Sequence, residues 1–218
     1  MNRTSFLIDG FNLYHSIIDI QRDSFVCTKW LDIYSLCNSF LYWIGNNATL
    51  EEIYYFSAFA YHRSTPGVIE RHMTYKRCLE SKGIKAVMGR FKPKQIKCSK
   101  YDSRLKSCPN CYGIISSHEE KETDVAIAAK LLELFSKNSC DTIVLVTGDT
   151  DLAPAIRVAN DLFTDKSIRF IFPYKRRNNE LAKLAQSMTI KPSLYNKFQL
   201  PDPFTMPDGT LVNKPITW

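Results

Sequence analysis

The fold of this chain is constrained most by short, continuous apolar runs that end directly at acidic residues. Phe6-Leu7-Ile8 leads into Asp9-Gly10-Phe11-Asn12, and Ile143-Val144-Leu145-Val146 leads into Thr147-Gly148-Asp149-Thr150-Asp151. Such runs are typical of strands that are buried on both faces of a parallel sheet. Ligands bind at the carboxyl ends of these strands, so acidic residues distant in sequence are predicted to meet there. Asp124, at the head of a helical stretch, is the third acidic segment.

Strand and helix patterns alternate along the chain, which predicts an α/β fold with a central, mainly parallel sheet. Strands are predicted near Ser5–Ile8, Glu52–Ala58, Ile84–Met88, Thr142–Val146 and Ile168–Phe172. Helices are predicted at Trp30–Ile44, Gly67–Ser81, Thr123–Phe135, Leu152–Leu162 and Asn179–Ser187. The helix that contains Asp124 has the clearest apolar stripe, at steps of three and four residues: Val125, Ala128, Leu131, Leu132 and Phe135.

Length and composition are those of an ordinary globular protein. With 218 residues, 44% of them hydrophobic, the chain can form a full core as one domain. No apolar run approaches the about 20 residues of a membrane span, and the run before Asp9 is too short for a secretory leader. We therefore expect a cytoplasmic protein with no membrane partner.

Basic residues exceed acidic ones, with a formal net charge of +7, and the excess is clustered. Clusters of this kind bind phosphates through Coulomb attraction and counterion release, although a solvated loop face explains them equally well. The candidate nucleic-acid contacts are Lys92, Lys94, Lys97, Lys100, Arg104 and Lys106 in one stretch and Lys175, Arg176 and Arg177 in another.

Residues 1–191 are predicted to form one domain with an insert at about 91–120. The insert is rich in Lys, Cys and Ser and poor in periodic apolar residues. It is therefore interpreted as a loop that needs a cross-link of its own, such as a bound metal, to be ordered. Residues 192–218 contain five prolines, which preclude long helices. This C-terminal tail is predicted to run extended over the domain.

The insert carries a possible zinc site. Cys98, Cys108, Cys111 and His118 have a spacing that can supply a tetrahedral Cys₃His site, which would order the insert. Four protein ligands leave no open position, so such a zinc ion would be structural rather than catalytic. Free, redox-sensitive thiols are the alternative, and His118 could instead act in proton transfer beside the acidic residues.

The acidic residues have two explanations. Asp9, Asp124, Asp149 and Asp151 would repel one another if brought together without a cation, and Mg²⁺ or Mn²⁺ favours such oxygen ligands. Taken singly, each aspartate also fits a turn or a helix N-terminus. Asn12 has two possible roles, as a cap of the first helix or in orienting a water molecule.

These segments resemble a known family. Phe6–Tyr14, Glu120–Val125 and Leu145–Leu152 are similar, in this order, to the three signatures of NYN domains, in particular the LabA-like branch of the PIN-like nucleases. The resemblance continues through Phe172–Arg177 and Gln199–Pro203, and so spans most of the chain.

The resemblance implies a PIN-like three-layer α/β/α sandwich whose acidic cluster binds Mg²⁺ or Mn²⁺ and cleaves RNA. Carried over by motif, Asp9, Asp124, Asp149 and Asp151 would bind the metal directly or through water. Asn12 and Thr147 would support them. One residue departs from the pattern: Lys130 stands where many relatives carry another acidic residue, which would weaken metal binding.

The leading hypothesis is therefore a metal-dependent endoribonuclease that acts on single-stranded RNA. Tyr101, Tyr112 and the segment Tyr61-His62-Arg63 are candidates for stacking on bases or lining the cleft. The alternative is a non-catalytic RNA-binding or regulatory protein on the same scaffold, for which Lys130 is the best support. A phosphatase would need a small closed pocket, whereas basic patches favour a polymer. A second copy or a regulatory protein remains a possible partner.

Overall fold

A central seven-stranded sheet organises the molecule. The computed structural model describes residues 1–97, 114–216 and 218. The strands of this sheet are β1 Asn2–Asp9, β2 Ala48–Ala58, β3 Lys85–Lys97, β4 Ile114–Lys121, β5 Thr142–Val146, β6 Ser167–Phe172 and β7 Gln186–Thr189. The helices are α1 Gly10–Ser24, α2 Ile33–Ser39, α3 Leu41–Ile44, α4 Val68–Ser81, α5 Thr123–Ser136, α6 Ala153–Leu162, α7 Asn179–Leu184 and α8 Pro192–Lys197. A 3₁₀ turn spans Thr150–Leu152, and a small hairpin pairs β8 Phe204–Thr205 with β9 Leu211–Val212.

The strand order is β4-β3-β2-β1-β5-β6-β7, and every neighbouring pair is parallel except β3 with β4. The predicted mainly parallel sheet is therefore confirmed. β1 and β5 lie side by side at the centre, with Ile8 opposite Val146. Because both strands run in the same direction, the residues that follow Ile8 and Val146 leave the sheet at the same edge.

Helices cover both faces of the sheet. Along β1, Phe6 and Ile8 belong to the core under α1, α2 and α4, whereas Leu7 belongs to the core under α5, α6 and α7. Alternate side chains of a strand point to opposite faces, so a continuous apolar run supplies both cores at once. The three-layer α/β/α arrangement is confirmed.

The predicted helix at Trp30–Ile44 is wrong at its start. Residues before Asp32 are not helical, because Asp32 is the N-cap of α2 and its carboxylate accepts the backbone N–H of Ser35 at 3.1 Å. Trp30 and Leu31 are instead held by the C-terminal segment, where the indole N–H of Trp30 donates to the carbonyl of Pro201 at 3.0 Å. The Asp-x-x-Ser cap was a local signal against a longer helix.

The predicted helix at Asn179–Ser187 is also wrong at its end. α7 stops at Leu184, and Gln186–Thr189 form the edge strand β7, which pairs with β6. This strand is short and half-exposed. Its pattern is too polar to be told from a helix end by periodicity alone.

The insert is not the loop that its composition indicates. Beyond Gly89, which pairs with the end of β2, residues 90–97 continue β3 and pair antiparallel with β4. An antiparallel ribbon satisfies its own backbone groups without an apolar core, so the missing hydrophobic periodicity hid it. Residues 98–113, which include Cys98, Cys108 and Cys111, lie outside the described residues.

The C-terminal segment packs against the helices on one face of the sheet. α8 begins with Pro192 at its first turn, a position where a missing N–H costs nothing. Tyr195 is fully buried, and its hydroxyl lies 2.9 Å from the Ser16 hydroxyl and accepts the N–H of Tyr174 at 3.0 Å. Trp218 packs edge-on against Trp30.

None of the helices in the described part of the chain is long and apolar enough to cross a membrane.

One ion pair joins the starts of β1 and β5. Asp141 accepts the backbone N–H of Arg3 at 2.9 Å and its guanidinium N–H groups at 2.7 and 3.1 Å. The hydrogen bonds from Arg3 hold the pKa of Asp141 well below its usual range. The ionised carboxylate is therefore bound more favourably in the folded chain than in the unfolded chain.

We predict that Asp141→Asn lowers the free energy of unfolding at pH 7 by about 1–2 kcal/mol. Because the folded pKa is depressed, this stabilisation is fully present above the unfolded pKa of about 4 and is lost as pH falls through the folded pKa. Urea denaturation at pH 7 and pH 2 should show the gap between wild type and variant closing in acid. A pH-independent gap would contradict the assignment to Asp141 ionisation.

Candidate active site

The first acidic residue sits at the junction of β1 and α1. Asp9 is 3% exposed, and one of its carboxylate oxygens accepts the backbone N–H of Asn12 at 3.0 Å, which makes Asp9 the N-cap of α1. The capping role considered for Asn12 thus belongs to Asp9. The same hydrogen bond explains why the helix begins at Gly10.

Two side chains fix the other carboxylate oxygen of Asp9. The amide of Asn12 donates to it at 2.7 Å and the hydroxyl of Thr147 donates to it at 2.9 Å. The amide oxygen of Asn12 in turn accepts the backbone N–H of Gly148 at 3.1 Å. The ends of β1 and β5 are therefore joined by side-chain hydrogen bonds as well as by the sheet.

The acidic segment that follows β5 forms a tight turn. The N–H of Asp149 donates to the Thr147 hydroxyl at 3.1 Å, and the carboxylate of Asp149 accepts the N–H of Asp151 at 3.0 Å. Asp149 thereby caps the 3₁₀ turn. Asp151 is exposed, and its own carboxylate is not used in this capping.

Asp124 lies on the first turn of α5, which follows the antiparallel strand β4. The turn from β4 into α5 passes through Glu122, whose φ of 82° is left-handed. One carboxylate oxygen from each of Asp9, Asp124 and Asp149 lies within 4.8 Å of the other two. Three of the four predicted aspartates are thus brought together, whereas Asp151 lies outside this group.

The three carboxylates are in electrostatic conflict. Burial and then the charges of Asp149, Asp9 and Glu120 raise the pKa of Asp124 to about 6. Burial also raises the pKa of Asp9, although the hydrogen bonds from Asn12 and Thr147 oppose this shift. A divalent cation would remove the repulsion, and a set of carboxylate oxygens suits Mg²⁺ or Mn²⁺. The residues present therefore fit such an ion.

Comparison with known proteins agrees with this arrangement. The family profile described as the NYN domain matches residues 3–189, which include all three acidic segments. The chain belongs to the NYN domain family. NYN domains are part of the PIN-like superfamily, whose fold is that of nucleases.

A solved structure has a fold similar to that of this chain. The crystal structure of a Vibrio parahaemolyticus protein of unknown function is similar with a TM-score of 0.53 and 16% identity, over 91% of this chain and 96% of that chain. No curated protein matches.

The NYN site contains a carboxylate that the sequence reasoning missed. Glu120, at the end of β4, is half-buried, and the charge of Asp9 adds to burial in raising its pKa, while hydrogen bonds from Thr123 oppose the shift. Its charge also acts on Asp124. Glu120 is the first residue of the second family motif, so the sequence did point to it. It stands in an acidic run, however, and the sequence alone does not distinguish it from the neighbouring Glu119 and Glu122.

Two glycines let the backbone close around the site. A Cβ on Gly148 would lie 2.0 Å from the carbonyl oxygen of Arg176, and a Cβ on Gly10 would lie 2.5 Å from the carbonyl oxygen of Phe56. No side chain fits at such distances. The acidic turns of this NYN domain therefore require glycine for packing at both positions.

Lys130, which departs from the family pattern, forms its ion pair with a residue outside the acidic cluster. Its ammonium group pairs with Glu133 at 2.5 Å and lies 4.9 Å from the ring centroid of Tyr54. It lies six positions after Asp124, about 9 Å along the axis of α5.

Most of the predicted basic contacts that the structure describes already have partners. Lys94 pairs with Glu119 at 3.0 Å, Lys175 with Asp23 at 2.6 Å and Arg176 with Asp19 at 2.5 Å. Arg177 lies over the ring of Phe172, and Lys92 is exposed. The side chain of Lys97 and the residues Lys100, Tyr101, Arg104, Lys106 and Tyr112 lie outside the described part of the chain.

A groove of about 620 Å³ begins beside the acidic cluster, with Gly10 and Glu120 at its margin. All four histidines of the chain line it: His15, His62, His72 and His118. His72 is partly buried, and this desolvation lowers its pKa to about 4, so it is neutral at pH 7. His118 faces this groove, and its role as a zinc ligand remains a prediction because the three cysteines lie outside the described residues.

We predict that Asp149→Asn stabilises the protein in EDTA by about 0.5–1 kcal/mol, because it removes one of the repelling charges and keeps an oxygen to cap the 3₁₀ turn. In Mn²⁺ we expect the wild type to be more stable than the variant, since the wild type gains stability from the bound ion and the variant gains little. Thermal unfolding in EDTA and in Mn²⁺ measures both effects. Asp161→Asn, an exposed aspartate of α6, is the control; the proposed site is wrong if it behaves like Asp149→Asn.

Proposed function

We propose that this NYN domain is a metal-dependent ribonuclease that hydrolyses phosphodiester bonds of single-stranded RNA, and that it belongs to the LabA-like branch. The observation that carries the proposal is the meeting of Asp9, Asp124 and Asp149 within 4.8 Å of one another beside an open groove. The three residues come from three separate family motifs. The second half of the resemblance, through Phe172–Arg177 and Gln199–Pro203, supports the branch.

In this proposal each carboxylate has a defined task. Asp9, Asp124 and Asp149 hold the cation, while Glu120 and Asp151 contribute negative charge at its periphery. A bound Mg²⁺ or Mn²⁺ would lower the pKa of the attacking water and neutralise charge on the phosphodiester. Asn12 and Thr147 keep the Asp9 carboxylate in one orientation through their hydrogen bonds. Such fixed outer partners are what a precise ligand geometry requires.

The alternative, a non-catalytic RNA-binding or regulatory protein on this scaffold, had Lys130 as its main support. The ammonium group of Lys130 pairs with Glu133 and so does not neutralise the acidic cluster, although the carboxylate that many relatives carry at this position is still missing. The mutual repulsion of the acidic residues also favours a cation-binding role, because it destabilises the protein unless an ion compensates for it. The nuclease is therefore the function that the site supports best.

We predict that purified protein cleaves labelled single-stranded RNA in Mn²⁺ or Mg²⁺ and not in EDTA. Asp124→Asn and Asp149→Asn should each lower the rate by about 100-fold or more, since loss of a ligand exceeds the effect of losing an outer partner. Asp151→Asn should lower it by about tenfold, because Asp151 lies outside the three-carboxylate group.

Asp161→Asn is the matched control for these variants, since it makes the same chemical change on the exposed side of α6. Gel analysis of the products over time measures the rates of the wild type and the four variants, and circular dichroism checks the fold of each variant. RNA that is bound but left intact by the wild type under every metal condition would favour the non-catalytic alternative. Cleavage that persists in Asp149→Asn would place the active site elsewhere.

A further inference from the structure

An aromatic wall borders the groove next to the acidic cluster. The rings of His62 and His118 are stacked, with centroids 4.2 Å apart and planes inclined by 8°. Phe91 meets His62 edge-on at 4.6 Å, and Phe11 meets Phe91 edge-on at 5.5 Å. These four residues, named here the aromatic wall, come from α1, the segment after β2, β3 and β4.

The aromatic wall is not part of either hydrophobic core. His62 is exposed, and Phe11, Phe91 and His118 are only partly buried. Exposed aromatic and imidazole rings are flat, polarisable surfaces, which is what an unpaired nucleobase stacks on.

The same groove carries basic side chains that are free to bind phosphate. Lys29, Arg63 and Arg71 line it, and none of them forms an ion pair within the described residues. Arg71 donates one hydrogen bond, to the carbonyl of Pro66 at 3.2 Å. Lys175 and Arg176, in contrast, are already neutralised by aspartates. The groove therefore has the unpaired positive charge that the more obvious basic cluster lacks.

We propose that the aromatic wall is a base-binding subsite for an unpaired nucleotide of single-stranded RNA, and that Lys29, Arg63 and Arg71 contact the phosphates on either side of it. This inference rests on the proposed function, which supplies RNA as the substrate. Glu120 lies at the margin of the groove and acts electrostatically on Asp124, so the bound base is close to the cleavage point.

The dimensions of the groove suit single-stranded RNA and exclude an RNA duplex. Its volume of about 620 Å³ is that of a small-molecule site, which holds one or two nucleotides and not a duplex. In a duplex the base faces are covered by their neighbours, so they cannot stack on His62. The subsite thus selects unpaired RNA through shape and stacking, with little preference for sequence.

The stacking part of the proposal is tested by binding in EDTA, where no cleavage is needed. Fluorescence anisotropy of a labelled oligouridine should show about tenfold weaker binding for His62→Ala, within the range for loss of one stacked base. His62→Phe should retain the wild-type affinity, because it keeps an aromatic face. A fully paired RNA should bind more weakly and without dependence on residue 62. Equal affinity of His62→Ala and wild type for the oligouridine would overturn the subsite.

The phosphate part is tested by the salt dependence of the same binding. Arg63→Gln with Arg71→Gln should reduce the slope of log affinity against log salt by about 1.4, since each phosphate contact on a single strand contributes about 0.7. Arg77→Gln is the matched control, because Arg77 lies on the same helix as Arg71 and outside the groove. An equal slope change in Arg77→Gln would overturn the assignment.

Failure of the subsite and failure of the nuclease are distinguishable. If His62→Ala and the arginine pair weaken binding while the wild type never cleaves, the subsite stands and the proposed activity falls. If cleavage depends on Asp149 but binding ignores His62, Arg63 and Arg71, the activity stands and the subsite is wrong. Circular dichroism of each variant excludes loss of fold, which is not expected because His62 and Arg63 are exposed.

Discussion

The parallel pairing of β1 with β5 is the constraint on which the rest of the structure depends. It sends Asp9 and Asp149 out of the sheet at one edge, and the Thr147 hydroxyl then joins them by accepting from one and donating to the other. Asn12 completes the connection through Gly148. Other hydrogen bonds of the same two carboxylates cap α1 and the 3₁₀ turn, so Asp9 and Asp149 shape the local backbone as well as the site.

The acidic cluster and the ion pairs elsewhere in the described residues have opposite effects on stability. The acidic cluster costs stability on its own, as the raised pKa of Asp124 indicates, whereas pairs such as Arg3 with Asp141 contribute stability away from the site. Many basic side chains of the described residues are engaged in such pairs. Those in the groove are not, and they lie beside negative charge that a cation would offset. Under the proposed function, an anionic polymer would be the ligand that suits this arrangement once a cation is bound.

Much of the fold was predictable because buried parallel strands have a strong sequence pattern. All five predicted strands exist, and the family and the α/β/α layers are confirmed. The errors fall where the signal is weak: an Asp32 cap inside an apolar stretch, the polar edge strand β7, and a ribbon at 90–97 and 114–121 that has no apolar alternation. In each case tertiary pairing or a single cap outweighed periodicity. For the site, Asp9, Asp124 and Asp149 were expected together, while Glu120 was overlooked.

The sequence by itself determined the fold class and that Asp9, Asp124 and Asp149 meet, because both follow from strand direction and from motifs that are contiguous along the chain. It did not determine that Asp151 lies outside this group or that Glu120 lies beside it. Only the tertiary structure decided which charges remain available. In the sequence Lys175 and Arg176 belong to one of two basic clusters, yet Asp23 and Asp19 neutralise them from a helix about 150 positions earlier in the chain. Arg63 and Arg71 look ordinary, yet they line the groove. An ion pair or an aromatic stack depends on distances between residues that are remote in sequence. The local sequence pattern does not encode those distances.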